Sequence, residues 1–246
     1  MSFAPQQSRT GPLEGPAAAV IRTVGAVGVL CAAPSGSAAQ ERVVDSGSFA
    51  ILRAGELVGL EEFQLRRITD AAGGDVFTLS TTASYPADQP TLVLSALLRL
   101  RGDSLVSSAR LELQHEQRSA VALLTVGDRR VTVRIGVPGL ESSREYPGAT
   151  PSVLLDDSLF GLHALRHPQA AAGISLLWAR AGQRSSGAVT FHGRTETDVG
   201  DTRRTLEHVS LGTGDAVRHL WFDDQGRLQK VEAPRIGLTA IRRPGR

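Results

Sequence analysis

From residue 131 the chain alternates between apolar and polar positions. Val131, Val133, Ile135 and Val137 fall on one side, and Thr132, Arg134 and Gly136 on the other. A period of two is the mark of a strand with one face buried. The run Leu92–Leu100 repeats the pattern with its even-numbered residues inward, and Leu111-Glu112-Leu113-Gln114 continues it. Turn signals separate such runs at Ala54-Gly55, Gly73-Gly74, Gly102-Asp103, Gly127-Asp128 and Asp224-Gln225-Gly226. Glycine there supplies the positive φ of tight hairpin turns. Long strands joined by short turns form a meander, and a large meander curls or closes to shield its apolar face and edges.

One region departs from this pattern. Pro138 to Pro151 is rich in Pro, Gly and Ser and reads as a loop. After it, Leu155, Leu159, Leu162 and Leu165 or Arg166 recur at helical spacing, with Asp156, Asp157 or Ser158 as N-cap and His167-Pro168 as the stop. Strands then resume at Ile174–Arg180, Ala188–Val199, Arg203–Leu211, Val217–Phe222, Arg227–Ala233 and Leu238–Arg242. The expected fold is therefore mainly β: an antiparallel meander forming a strongly curved sheet or incomplete barrel, with one short helix packed on its concave face.

Residues 1–39 differ from the rest. Arg22 precedes an apolar run, Thr23–Ala33, and the small residues Ser37-Ala38-Ala39 follow. A basic start, a short apolar stretch and a small-residue site describe a signal peptide, here with an N-terminal extension and cleavage before Gln40. The run is shorter than the roughly 20 residues of a membrane-spanning helix. Residues 40–246 then form a single antiparallel β-rich domain, exported to the periplasm or secreted, with no integral membrane segment. Cys31 lies inside the signal and is the only cysteine, so the mature chain has no disulfide and no thiolate chemistry.

Composition narrows the partners. The formal charge is only +2, and arginines are interspersed with acids, which argues against nucleic acid. Lys230 is the only lysine and asparagine is absent, a bias that points to a GC-rich gene rather than to selected chemistry.

No catalytic constellation and no metal site is assigned, and no cofactor is implied. His163 and His167 are four apart on the expected helix, but Ala164 stands where a zinc hydrolase motif needs glutamate, so His163 reads as a surface residue. Ser175 lacks the second glycine and the following helix of a nucleophile elbow. Gly212-Thr213-Gly214 reads as a turn. Glu61 and Glu62 point to opposite faces of a strand, with Glu62 on the solvent side beside Gln64 and Arg66. The strand Thr190–Asp198 places His192, Arg194, Glu196 and Asp198 on one polar face. Trp178, Trp221 and Phe222 are the large aromatic residues nearby. Trp178, His192, Arg194 and Trp221 are the candidate ligand-binding residues.

Three segments carry a resemblance: the hairpin Phe49–Phe63 around Ala54-Gly55, the run Leu155–Phe160, and the closing hairpin Leu220–Pro234. Together they resemble exported bacterial β-rich proteins of uncharacterised families, similar in architecture to lipoprotein-carrier-like half-open barrels. The resemblance implies a helix lid over an apolar cavity of roughly 300 Å³ or more, and it implies no catalytic residues. The expected function is a non-enzymatic envelope protein binding a lipid or a lipoprotein acyl chain. The alternatives are a protein–protein scaffold or envelope assembly factor, and a hydrolase.

Overall fold

A computed structural model describes residues 40–69, 74–101, 105–148, 152–164 and 173–244. The expected signal peptide lies outside these residues, as do Leu165, Arg166 and His167.

In chain order the strands are β1 (Gln40–Arg53), β2 (Glu56–Thr69), β3 (Asp75–Tyr85), β4 (Leu92–Arg101), β5 (Val106–His115), β6 (Arg118–Val126), β7 (Arg130–Val137) and β8 (Leu140–Pro147). They continue as β9 (Ser152–Leu155), β10 (Ile174–Trp178), β11 (Gln183–Gly187), β12 (Val189–Val199), β13 (Thr202–Leu211), β14 (Arg218–Phe222), β15 (Leu228–Ala233) and β16 (Leu238–Arg242). Thirteen form one antiparallel sheet in the order β12-β13-β14-β15-β16-β1-β2-β3-β4-β5-β6-β7-β8. The sheet is not closed: β12 and β8 are its two edges. The other three strands form a small sheet, β11-β10-β9, in which β9 and β10 run parallel.

Alternation sets the faces. In β2, Glu61, Phe63 and Leu65 are buried while Glu62 and its even-numbered neighbours are not. In β4, Leu94, Ala96, Leu98 and Leu100 are buried, as their spacing predicts. The buried faces of β1–β7 and β13–β16 share one core with Leu154 and Leu155 of β9, Leu176 and Leu177 of β10, and Leu159, Phe160 and Leu162 of the intervening loop. Each such side chain contributes about 1.5–3 kcal/mol on burial.

Two expectations are corrected. No α-helix occurs among the described residues: Ser152–Leu155 is a strand, and between 156 and 164 the chain forms one 3-10 turn, at Gly161–His163. Leu155, Leu159, Phe160, Leu162 and His163 are all buried, so the leucine spacing reflects burial of a largely irregular segment rather than one face of a helix. The loop expected over 138–151 contains β8, which pairs with β7 from Val137↔Leu140 to Arg130↔Pro147 across a turn at Gly139 (φ +79°). Nearly every residue of β8 is exposed, so no apolar alternation announces it.

Candidate functional site

The face of the large sheet opposite the core carries a row of residues fixed by strand register. His208 lies opposite Trp221, Trp221 opposite Lys230, Lys230 opposite Ile241, Ile241 opposite Ala50, and Ala50 opposite Leu60. Residues directly opposite in a ladder project from the same face, so this row crosses six strands, β13 to β2.

At the β13 end the rings stack. His192 lies over His208 with centroids 4.4 Å apart, and His208 lies over Trp221 at 4.7 Å with the planes 6° from parallel. The Lys230 ammonium sits 4.9 Å from the centre of the Trp221 ring. Threonines of β12 anchor the stack: Trp221 Nε1–H donates to Thr195 Oγ1 (3.3 Å) and Lys230 Nζ to Thr197 Oγ1 (3.0 Å). His208 Nε2 and His219 Nδ1 share a hydrogen bond of 3.0 Å, and His192 Nε2 bonds Ser210 Oγ at 2.8 Å. Desolvation, reinforced by His192 and His219, holds His208 down to a pKa of about 4. Among the described residues no three His, Cys, Asp or Glu side chains converge to hold a metal ion.

At the other end the row opens into a trough of about 1450 Å³. Ala50, Leu52, Leu60 and Ile241 give it an apolar floor, and Ser48, Ser80 and Thr82 add hydroxyls. Its rim includes Arg204, Arg227, Arg243, Glu62 and Asp201, with the β12–β13 hairpin tip, Val199–Thr202, on one side.

On the buried face, Glu61 is a carboxyl group inside the core. Its oxygens accept from Phe160 N–H and Gly161 N–H, both at 2.8 Å, and from Thr81 Oγ1–H at 2.5 Å. Burial raises its pKa to about 7 despite these donors. Gly161 makes the approach possible, since a Cβ there would lie 2.8 Å from Thr81 Oγ1 and 2.9 Å from Glu61 Oε1. Tyr85 Oη–H donates to Ser158 O (2.8 Å), and Asp156 holds Arg180 in a two-pronged pair (2.5 and 2.6 Å). These contacts fasten the 156–163 loop to the sheet.

The candidates from the sequence divide accordingly. His192 and Trp221 meet in the stack. Arg194 does not join them: a bulge between Phe191 and Gly193 shifts the register, so the expected common face of His192 and Arg194 is broken. Arg194 instead pairs with Asp224 and donates to Thr205 O (3.0 Å). Trp178 lies in the small sheet, half-buried against the core. His163, expected at the surface, is fully buried. Ser175 is a strand residue held by Arg184 Nη2 at 2.6 Å. Sequence reasoning missed the role of Glu61, although an acid between apolar neighbours on one strand face was its visible sign.

No protein-family profile and no curated protein matches the chain. Among solved structures it is similar to a beta-barrel-like protein of the domain of unknown function DUF1849 from Brucella abortus. The identity is 9%, the match covers 80% of this chain and 94% of that one, and the TM-score is 0.42.

Proposed function

We propose that this chain is a non-enzymatic binding protein of the cell envelope that holds an amphiphile, a lipid or the acyl end of a lipoprotein, along the open face of its large sheet. The trough of about 1450 Å³ carries this reading. Its apolar floor suits a hydrocarbon chain and its mixed polar rim suits a head group. No described α-helix provides a lid; Leu159, Phe160 and the small sheet pack on the core side, which supports placing the ligand on the opposite face. The signal-like segment before Gln40 supports the envelope setting. No described helix is long and apolar enough to cross a membrane.

The test is native mass spectrometry of the protein purified from its own host, with N-phenyl-1-naphthylamine titration of delipidated protein. A co-purifying amphiphile and saturable probe binding are expected. Ala50→Trp, which plants an indole on the trough floor, should weaken probe binding about tenfold or more. A bare mass together with no saturable binding overturns the reading.

A second reading, an assembly scaffold, rests on β8, an edge strand of the large sheet among the described residues, which is exposed almost throughout. An extended segment can add to such an edge. Site-specific cross-linking from Ser142 or Ser143 in host cells tests it, and absence of any cross-linked partner removes it.

A further inference from the structure

A second small site lies on the opposite face from the trough, where the two sheets meet. Arg218, the first residue of β14, is 4% exposed. Its Nη2 donates to Asp156 O at 3.0 Å and to Asp157 Oδ1 at 2.8 Å. Its other terminal nitrogen, Nη1, is buried and has no hydrogen-bond partner among the described residues. Such a group is rare in folded proteins, because an unmet buried donor forfeits its hydration.

Charge around it is also unbalanced. The other Asp157 oxygen is 3.7 Å from the guanidinium of Arg235, so one carboxylate serves two arginines. Asp156 is already held by Arg180. Burial pulls the Arg218 pKa down, against the two carboxylates that raise it. Beside Arg218 and Arg235 lies a void of about 10 Å³, walled by Trp178, Ala216, Val217 and Ile236. Such a void has room for one water-sized sphere.

We propose that this cleft is a small-anion site, taking a halide or a single oxygen of a carboxylate- or phosphate-bearing molecule onto Arg218, with the half-exposed Arg235 at its mouth. A water needs acceptors as well as donors to be held firmly. Among the described residues lining the void, Asp157 is the one carboxylate and is engaged by both arginines, and beyond these the side chains are those of Trp178, two alanines, a valine and an isoleucine. An anion needs donors alone, and a guanidinium gives charge-assisted ones. The site is independent of the trough, and either can fail without the other.

Trp178 reports on it directly. The chain has two tryptophans, so Trp221→Phe leaves Trp178 as the single tryptophan in the full chain, excited selectively at its red edge. Emission and thermal midpoint are followed in chloride, bromide, acetate and phosphate, each titration run in parallel on Ala216→Leu so that ionic strength acts equally on both proteins. The expected result is a saturable change in Trp178 emission and a midpoint that rises with the anion, as linkage requires. Chloride saturation that competes with acetate marks a halide site, whereas a response to acetate or phosphate alone marks capture of a larger ligand's oxyanion. Arg235→Gln should weaken binding severalfold and Ala216→Leu, which fills the void, should abolish it. Arg218→Gln should abolish it too, and the first two variants keep the test decisive where that one fails to fold. A strictly linear, non-saturating response, or saturation unchanged in Ala216→Leu and Arg235→Gln, overturns the proposal.

Discussion

Glu61 and His208 are displaced from their ordinary protonation in ways that oppose each other. Glu61 rises from 4.5 to about 7 because it is buried. The folded state therefore binds a proton that the unfolded chain releases above about pH 4.5, so this contribution is full in acid and is lost as pH rises through 7. A shift of this size is worth about 3 kcal/mol. His208 falls from 6.5 to about 4. Its neutral form is kept in the fold, so its contribution is full above pH 6.5 and is lost as pH falls towards 4. Denaturant titrations between pH 4 and 8 separate the two. Relative to the parent, Glu61→Gln should remove the component of stability that declines towards neutral pH, and His208→Gln the one that declines towards acid. Gly161→Ala tests the contact itself: its Cβ meets Thr81 Oγ1, Glu61 Oε1 and Phe63 Cβ within 3.1 Å. It should cost about 1–3 kcal/mol, read as a shift in denaturant midpoint.

The strands show where a linear pattern is informative and where it stops. β4 and β7 were readable because one face is buried and the other is not, so alternation survives in the sequence. β8 was hidden because it is an exposed edge, paired through backbone groups that any residue carries. The helix expected after Leu155 failed for the converse reason. Leu159, Phe160 and Leu162 are all buried in an irregular segment, and their spacing is that of a core rather than of a helix. The bulge in β12 is a third case. It puts one extra residue opposite Val209 and His208, and a two-residue pattern read through it assigns Arg194 to the wrong side. Gly193 sits beside that bulge at φ +75°, where a side chain costs roughly 1–2 kcal/mol. Gly193→Val should lower stability by that amount and disturb the His192–Ser210 contact, seen as altered imidazole resonances in NMR spectra.

At the scale of the molecule, both sheets draw on one core, and each holds one tryptophan, Trp178 in the small sheet and Trp221 in the large one. Unfolding followed separately in Trp178→Phe and Trp221→Phe should give coincident transitions. Two separated transitions would mean that the small sheet folds on its own. Phe160, fully buried between the sheets' core residues, is the side chain whose removal both reporters should feel. Phe160→Ala should cost about 3–5 kcal/mol with the transitions still superposed. The large sheet also joins segments far apart in sequence. Its two arms, β2–β8 and β12–β15, are connected through β1 and β16, which meet in the register Phe49↔Arg242 to Arg53↔Leu238. These partners are almost two hundred positions apart in sequence, roughly the widest separation the described chain allows. Until β16 pairs with β1, the two arms are left unfastened along a seam down the middle of the sheet. The intact sheet thus depends on one zipper between distant segments, β16 closing on β1 to join both arms.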